Sequence, residues 1–310
     1  MSASVSSRVP SVVVLCVILL ALVGPVETLP RDRLYEAWWR FLHFPALALG
    51  TILLAKILPF AAVAAAPKAV GIALLAVPLM EALQFFTGRT PAWGDILMGW
   101  AGVMAGGACL IVVFRKERRV RMTGVAMVLV LTLLAVLPAV SVVVDRRMAE
   151  RAYPLLASFR TPMEVGRWVA TSATVQRSRE YAAYGEYALA VTLHDQADYP
   201  GVFMTDFHAD WSDMQALHVD IHLTGDNELN GWIRVDDKVE PEYADRFQES
   251  VRLRPGHNTI RLDLTESFMT PRGRPLRKES IHTWGVFFDR AGTGRVFHLD
   301  AAYLSGTAEQ

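Results

Sequence analysis

Apolar and polar positions fall into two regimes along the chain. Through residue 149, long apolar runs alternate with short polar breaks; beyond it, apolar residues recur at every second position in short segments. Five runs in the first part, about Val9 to Val26, Phe41 to Phe60, Ala69 to Phe86, Ile96 to Phe114 and Val125 to Val144, have the length an α-helix needs to cross a hydrocarbon layer. The first could instead be a cleaved signal peptide, but it is long enough to span and no small-residue cleavage site follows it. Trp38 and Trp39 precede the second run, as tryptophans at headgroup level do. Pro45 is read near that run's start, where a missing amide donor costs least. The fourth run contains Gly99, Gly102, Gly106 and Gly107, small residues that allow helices to approach closely.

The second regime predicts strands. Candidates are Tyr187 to Leu193, Ala216 to Leu223, Gly231 to Asp237, Arg246 to Leu253, Asn258 to Leu264, Thr283 to Asp289 and Val296 to Leu304, separated by Gly, Pro, Asn and Asp. In the second of these, Leu217, Val219, Ile221 and Leu223 face one way, and His218, Asp220 and His222 the other. Many short strands without a helical period imply a two-sheet, jelly-roll-type sandwich. The predicted fold is therefore an α-helical membrane domain of about five transmembrane helices over 1–149, followed by an all-β sandwich over 150–310.

Charge supports the division. The formal net charge is zero, yet residues 1–149 carry 14 Lys or Arg against 7 Asp or Glu, while residues 150–310 carry 17 against 24. An acidic second half disfavours nucleic acid as a partner. Five basic residues crowd Arg115 to Arg121, which the positive-inside rule places in the cytoplasm. Threading from there puts the N-terminus inside and the second half outside, in a multi-pass protein of the cytoplasmic membrane with lipid as one partner. The two cysteines, Cys16 and Cys109, lie in apolar runs, which excludes a disulfide framework and disfavours a thiol nucleophile.

Candidate chemistry sits where polar residues interrupt the apolar runs. Glu81 and Gln84, three apart, share a helix face; Arg89 follows in the break and Asp95 opens the next run. An ionised group inside a spanning helix costs roughly 2.5–3.5 kcal/mol and needs a partner. Mutual salt bridges that close a helical hairpin are one explanation, and a binding site at the outer face is the other. This pattern of Glu-x-x-Gln, Arg and Asp, with Arg40 and His43 upstream, resembles the VanZ-like family of membrane proteins over about the first 115 residues. Arg40 stands where that family more often has Lys, and Gly99 where it usually has Asn. The resemblance implies a cell-envelope protein associated with glycopeptide resistance, without supplying a shared biochemical activity.

In the second half, Arg234, Asp236, Asp237, Tyr243, Asp245 and Arg246 cluster around Trp232, with Trp211 a further aromatic platform. Carboxylates and guanidinium groups bond sugar hydroxyls, and aromatic faces cover sugar C–H surfaces. The alternatives are a hairpin of paired charges around core tryptophans, or a glycosidase using Asp236 and a second carboxylate. Landmarks from Pro154 to Leu304, among them the run Ile233 to Leu264 and the closing Phe297 to Leu304, resemble carbohydrate-binding, galactose-binding-like sandwich modules. That resemblance implies polysaccharide or cell-wall glycan as a partner and admits a structural calcium near Asp300. Otherwise no cofactor is expected. No Cys or His spacing matches zinc, and no Gly-rich loop suits a phosphate. An intramembrane hydrolase lacks a nucleophile and base pair. A binding protein is expected rather than an enzyme.

Overall fold

The computed structural model describes residues 5–23, 32–87, 91–238, 242–265 and 268–306. The chain divides into two compact units, Met1–Val142 and Val143–Gln310. The division falls inside the last helix, where the sequence pattern places the change at 149/150.

Among the described residues, five α-helices build the first unit: α1 (Val5–Val23), α2 (Arg33–Ile57), α3 (Ala62–Gln84), α4 (Trp93–Phe114) and α5 (Arg118–Ala152), the last continuing into the second unit. Four of them, α2 to α5, are long and apolar enough to cross a membrane by length and composition, with α1 shorter in its apolar stretch. Two boundaries depart from the hydropathy pattern. Helix α2 begins at Arg33 because Asp32 caps it, accepting a hydrogen bond from the Tyr35 amide at 2.6 Å. Pro45 is therefore interior, and it leaves the Phe41 carbonyl without its helical donor. Helix α5 begins at Arg118, so part of the basic segment is helical.

Helices α2 and α4 meet backbone to backbone. A Cβ added at Gly102 would lie 2.3 Å from the Phe44 carbonyl oxygen, and one at Gly106 would lie 2.5 Å from that of Ala48. Gly99 instead abuts side chains, those of Leu47 on α2 and Val77 on α3. This unit inverts the usual distribution of polarity: Leu75, Leu79, Phe86, Trp93 and Leu129 are exposed, whereas His43, Thr51, Glu81, Gln84 and Asp95 are buried.

The second unit is an antiparallel β-sandwich. Its strands are β1 (Leu155–Ala157), β2 (Trp168–Thr171), β3 (Ala173–Ser178), β4 (Ala188–Leu193), β5 (Gly201–Met204), β6 (Met214–Leu223), β7 (Leu229–Asp236), β8 (Phe247–Leu253), β9 (Gly256–Asp263), β10 (Thr283–Phe288) and β11 (Val296–Gly306). One sheet has the order β3-β4-β11-β6-β9, with β1 also on β11, and the other has β2-β5-β10-β7-β8. Their inner faces interdigitate through Leu189, Val191, Leu217, Ile221 and Phe297 on one side and Val202, Met204, Ile233, Trp284 and Val286 on the other. As the alternation requires, Leu217, Val219, Ile221 and Leu223 are all core residues.

Candidate functional site

Close packing of α2 on α4 gathers the polar residues of the helical unit. Ligand atoms of His43 (α2), Glu81 (α3) and Asp95 (α4) lie within 4.8 Å of one another, and all three residues are buried. Arg40, one helical turn before His43, places Nε 3.4 Å from Asp95 Oδ1. The Ala92 amide at the start of α4 donates to Glu81 Oε1 at 2.6 Å, a carboxylate at a helix N-terminus. Gln84 instead donates from Nε2 to the Leu22 carbonyl of α1 at 3.1 Å, tying two helices together. Arg89 lies outside the described residues.

In the sandwich, the outer face of the β2-β5-β10-β7-β8 sheet is hollowed, with a cavity of about 270 Å³ lined by Thr171, Tyr199, Phe203, Trp232, Arg234, Tyr243, Arg246, Gln248 and Phe287. Strand register explains its shape. Ser250, Trp232, Phe287, Gly201 and Thr171 are successive cross-strand partners, and in the adjacent row so are Gln248, Arg234, Gly285, Phe203 and Val169. Gly201 and Gly285 leave two gaps on the outer face. Phe287 stacks on Trp232 at 5.4 Å and on Phe203 at 6.0 Å, and across Gly285 the Arg234 guanidinium lies 5.7 Å from the Phe203 ring. Tyr199, in a loop, and Tyr243, in the short 3-10 helix Tyr243–Asp245, flank the hollow and are exposed.

The predicted polar residues separate by role. Asp236 is buried beside Arg234, with Nη2 of the latter 2.5 Å from its Oδ2; burial pushes its carboxyl above the usual range against the pull of Arg234. Asp237 and Asp245 turn away from the cleft to Arg274. Its Nη1 and Nη2 bond Asp237 at 2.5 and 2.9 Å, and Nη2 reaches Asp245 at 3.1 Å, where Lys238 joins at 2.8 Å. Burial pushes the Asp237 carboxyl up, but the Arg274 hydrogen bonds and the Arg277 amide outweigh it and hold it below its ordinary value. Hydrogen bonds from Arg274 and Lys238 hold Asp245 well below the carboxylate range.

A carboxylate with a depressed folded pKa stabilises above its unfolded value and loses that contribution as pH falls. The sandwich is accordingly expected to lose urea resistance as pH drops below about 3.8, and Arg274→Gln to flatten that dependence. Urea midpoints at pH 7 and pH 3, followed by tryptophan fluorescence, check this.

Trp211 is not a platform: it is fully buried in the core, with Nε1 donating to the His208 carbonyl. Asp300 sits at a register shift in β11, and its Oδ2 accepts the Ala183 and Tyr184 amides, so that oxygen anchors a loop. His218 stacks on Tyr303 and His222 beneath Tyr181, on the outer face of the other sheet. Sequence reasoning missed Tyr199, Phe203 and Phe287. For Phe203 and Phe287 the signal was parity: each alternates out of phase with a core residue, Val202 and Val286 respectively.

No protein-family model matches the chain, and no curated protein matches it. Among solved structures, the sandwich half is similar in fold to part of an exo-β-agarase, with 15% identity, a TM-score of 0.42, and coverage of 50% of this chain and 25% of that one. A family 11 carbohydrate-binding module from Clostridium thermocellum, solved with a β-1,3-1,4-mixed-linked tetrasaccharide, matches at 18% identity and TM-score 0.38 over 50% of this chain and 96% of its own. A family 22 carbohydrate-binding module from the same organism matches at 15% identity and TM-score 0.33, over 47% and 90% respectively. The chain thus spans about a quarter of the agarase and nearly all of each module.

Proposed function

We propose that the chain is a multi-pass membrane protein of the bacterial cell envelope, VanZ-like in its helical half, that binds a polysaccharide along the hollowed outer face of its sandwich. The observation that carries the glycan part is the aromatic stack of Phe203, Phe287 and Trp232 beside Arg234, Arg246 and Gln248. Rings supply apolar faces for sugar C–H surfaces, and the polar groups supply bonds for hydroxyls. Arg246 Nε is buried and has no hydrogen-bond partner among the described residues, a donor left for a ligand. None of the described residues lining the cleft is a carboxylate, whereas glycoside hydrolysis needs two, so binding is favoured over cleavage. The membrane part draws on the inverted polarity of the helical unit and the length of its helices.

The test is a glycan array probed with the full chain in detergent. Binding to an extended polysaccharide is expected, with Trp232→Ala lowering affinity by about tenfold or more. Absence of binding across a broad panel would remove the glycan assignment. A second role is favoured by the buried polar cluster of α2, α3 and α4, which suits capture of a polar or lipid-linked envelope molecule at the outer leaflet. Glu81→Gln separates it from a structural salt bridge: a normally expressed variant without the envelope phenotype supports capture, and failure to accumulate supports a structural tie.

A further inference from the structure

Between α2, α3 and α4, we propose a divalent transition-metal site formed by His43, Glu81 and Asp95. Three observations meet there. One nitrogen and two carboxylate oxygens lie within 4.8 Å of one another, a spread that a first-row ion with bonds of about 2.0–2.2 Å closes by small side-chain movements. His43 Nδ1 is 3.1 Å from the Trp39 carbonyl, the backbone bond that fixes a ligating imidazole with its other nitrogen unprotonated. That other nitrogen, Nε2, is buried, with the residue only 3% exposed, and has no hydrogen-bond partner among the described residues. An imidazole acceptor buried among carboxylates gains nothing from two anions but would be satisfied by a cation.

The surroundings prepare each ligand in turn. The Ala92 amide donates to Glu81 Oε1, and Arg40 approaches Asp95 Oδ1, so each carboxylate is held through one of its two oxygens. Among the described residues the cluster carries two carboxylates against one guanidinium, a surplus negative charge in a buried setting that a dication reverses. One imidazole with two carboxylates suits Zn²⁺ or Mn²⁺ better than Ca²⁺ or Mg²⁺, which prefer oxygen alone. Three protein ligands leave a coordination position open, as sites that bind a further molecule do. The site is independent of the glycan assignment, because it lies wholly in the helical unit.

The experiment uses the full chain in detergent micelles, stripped with chelator and titrated with ZnCl2 or MnCl2. One tightly bound ion per chain is expected by elemental analysis after gel filtration, with His43→Gln or Asp95→Asn weakening binding by about a hundredfold or more. The bound Mn²⁺ is expected to show nitrogen coupling in pulsed paramagnetic resonance that His43→Gln abolishes. If that variant does not fold, Glu81→Gln, which keeps side-chain volume, gives the same affinity comparison. No bound ion in the wild type, or undiminished affinity in folded variants, overturns the proposal.

Discussion

Asp145→Ala is expected to destabilise the sandwich unit by about 3–5 kcal/mol, the cost of leaving a buried guanidinium without its counter-ion. Asp145 lies in the last turns of α5, fully buried, and its carboxylate accepts from Arg167 Nη2 at Oδ1 (2.6 Å) and from Nε at Oδ2 (3.0 Å), with Nη2 also donating to its backbone carbonyl at 3.3 Å. Arg167, only 4% exposed, also donates from Nη1 to the Leu156 carbonyl at 3.3 Å. For a unit of this size the loss corresponds to a fall in melting temperature of roughly 6 to 20 °C, read by calorimetry on the full chain in detergent. Replacing both partners with apolar residues of similar volume is expected to cost far less than either single change, because no charge is then stranded. The exposed pair Arg147 and Glu150 on the same helix is the control, where Arg147→Ala should shift stability by about 0.5 kcal/mol or less. A buried-pair variant as stable as that control would refute the account.

In the helical unit the largest effect is expected from Gly102→Leu. Its new side chain would begin 2.3 Å from the Phe44 carbonyl oxygen, and backbone cannot rotate aside as a flexible side chain can. Overpacking ordinarily costs about 1–3 kcal/mol; here α2 must part from α4, so about 3 kcal/mol or more is expected. Gly71, by contrast, has nothing within 4 Å of a built Cβ. Gly71→Ala should therefore gain up to about 1 kcal/mol by lowering the entropy of the unfolded chain. Unfolding of detergent-solubilised protein, followed by helical circular dichroism, ranks the two variants, and equal stability would contradict the packing described.

Strands with a clean period of two, such as β6 and β7, are legible in the sequence because one face of each is core. Four that escape notice lack that contrast: β5 is only four residues long, between Pro200 and Thr205; β3 carries polar Thr174, Gln176, Arg177 and Ser178 at a sheet edge; and β1 and β2 are equally short, at three and four residues. The start of α2 was hidden by the charges from Arg33 to Arg40, which look like a loop until the Asp32 cap is recognised. The polar cluster was visible because each member is out of place in an apolar run. The assignment of Asp237 and Asp245 was not, since their partner Arg274 lies 37 and 29 residues away along the chain, and nothing local selects it. Trp232 and Trp211 were equally inviting by composition. Only the alternation of Trp232 with Ile233 and Val235 assigns it to the outer face, and Trp211 lies outside any strand.

The two glycines in the sandwich cleft fix what natural variation there can change. A Cβ at Gly201 would sit 2.4 Å from the Val286 carbonyl oxygen, and one at Gly285 would sit 2.2 Å from that of Val202, so neither position can be filled without separating the central strands. At these two positions of the outer face the sheet is thus bare peptide, and the gaps there are inherited with the fold. Chemical diversification has to come from the side chains around them, of which Tyr199 and Tyr243 are the exposed ones.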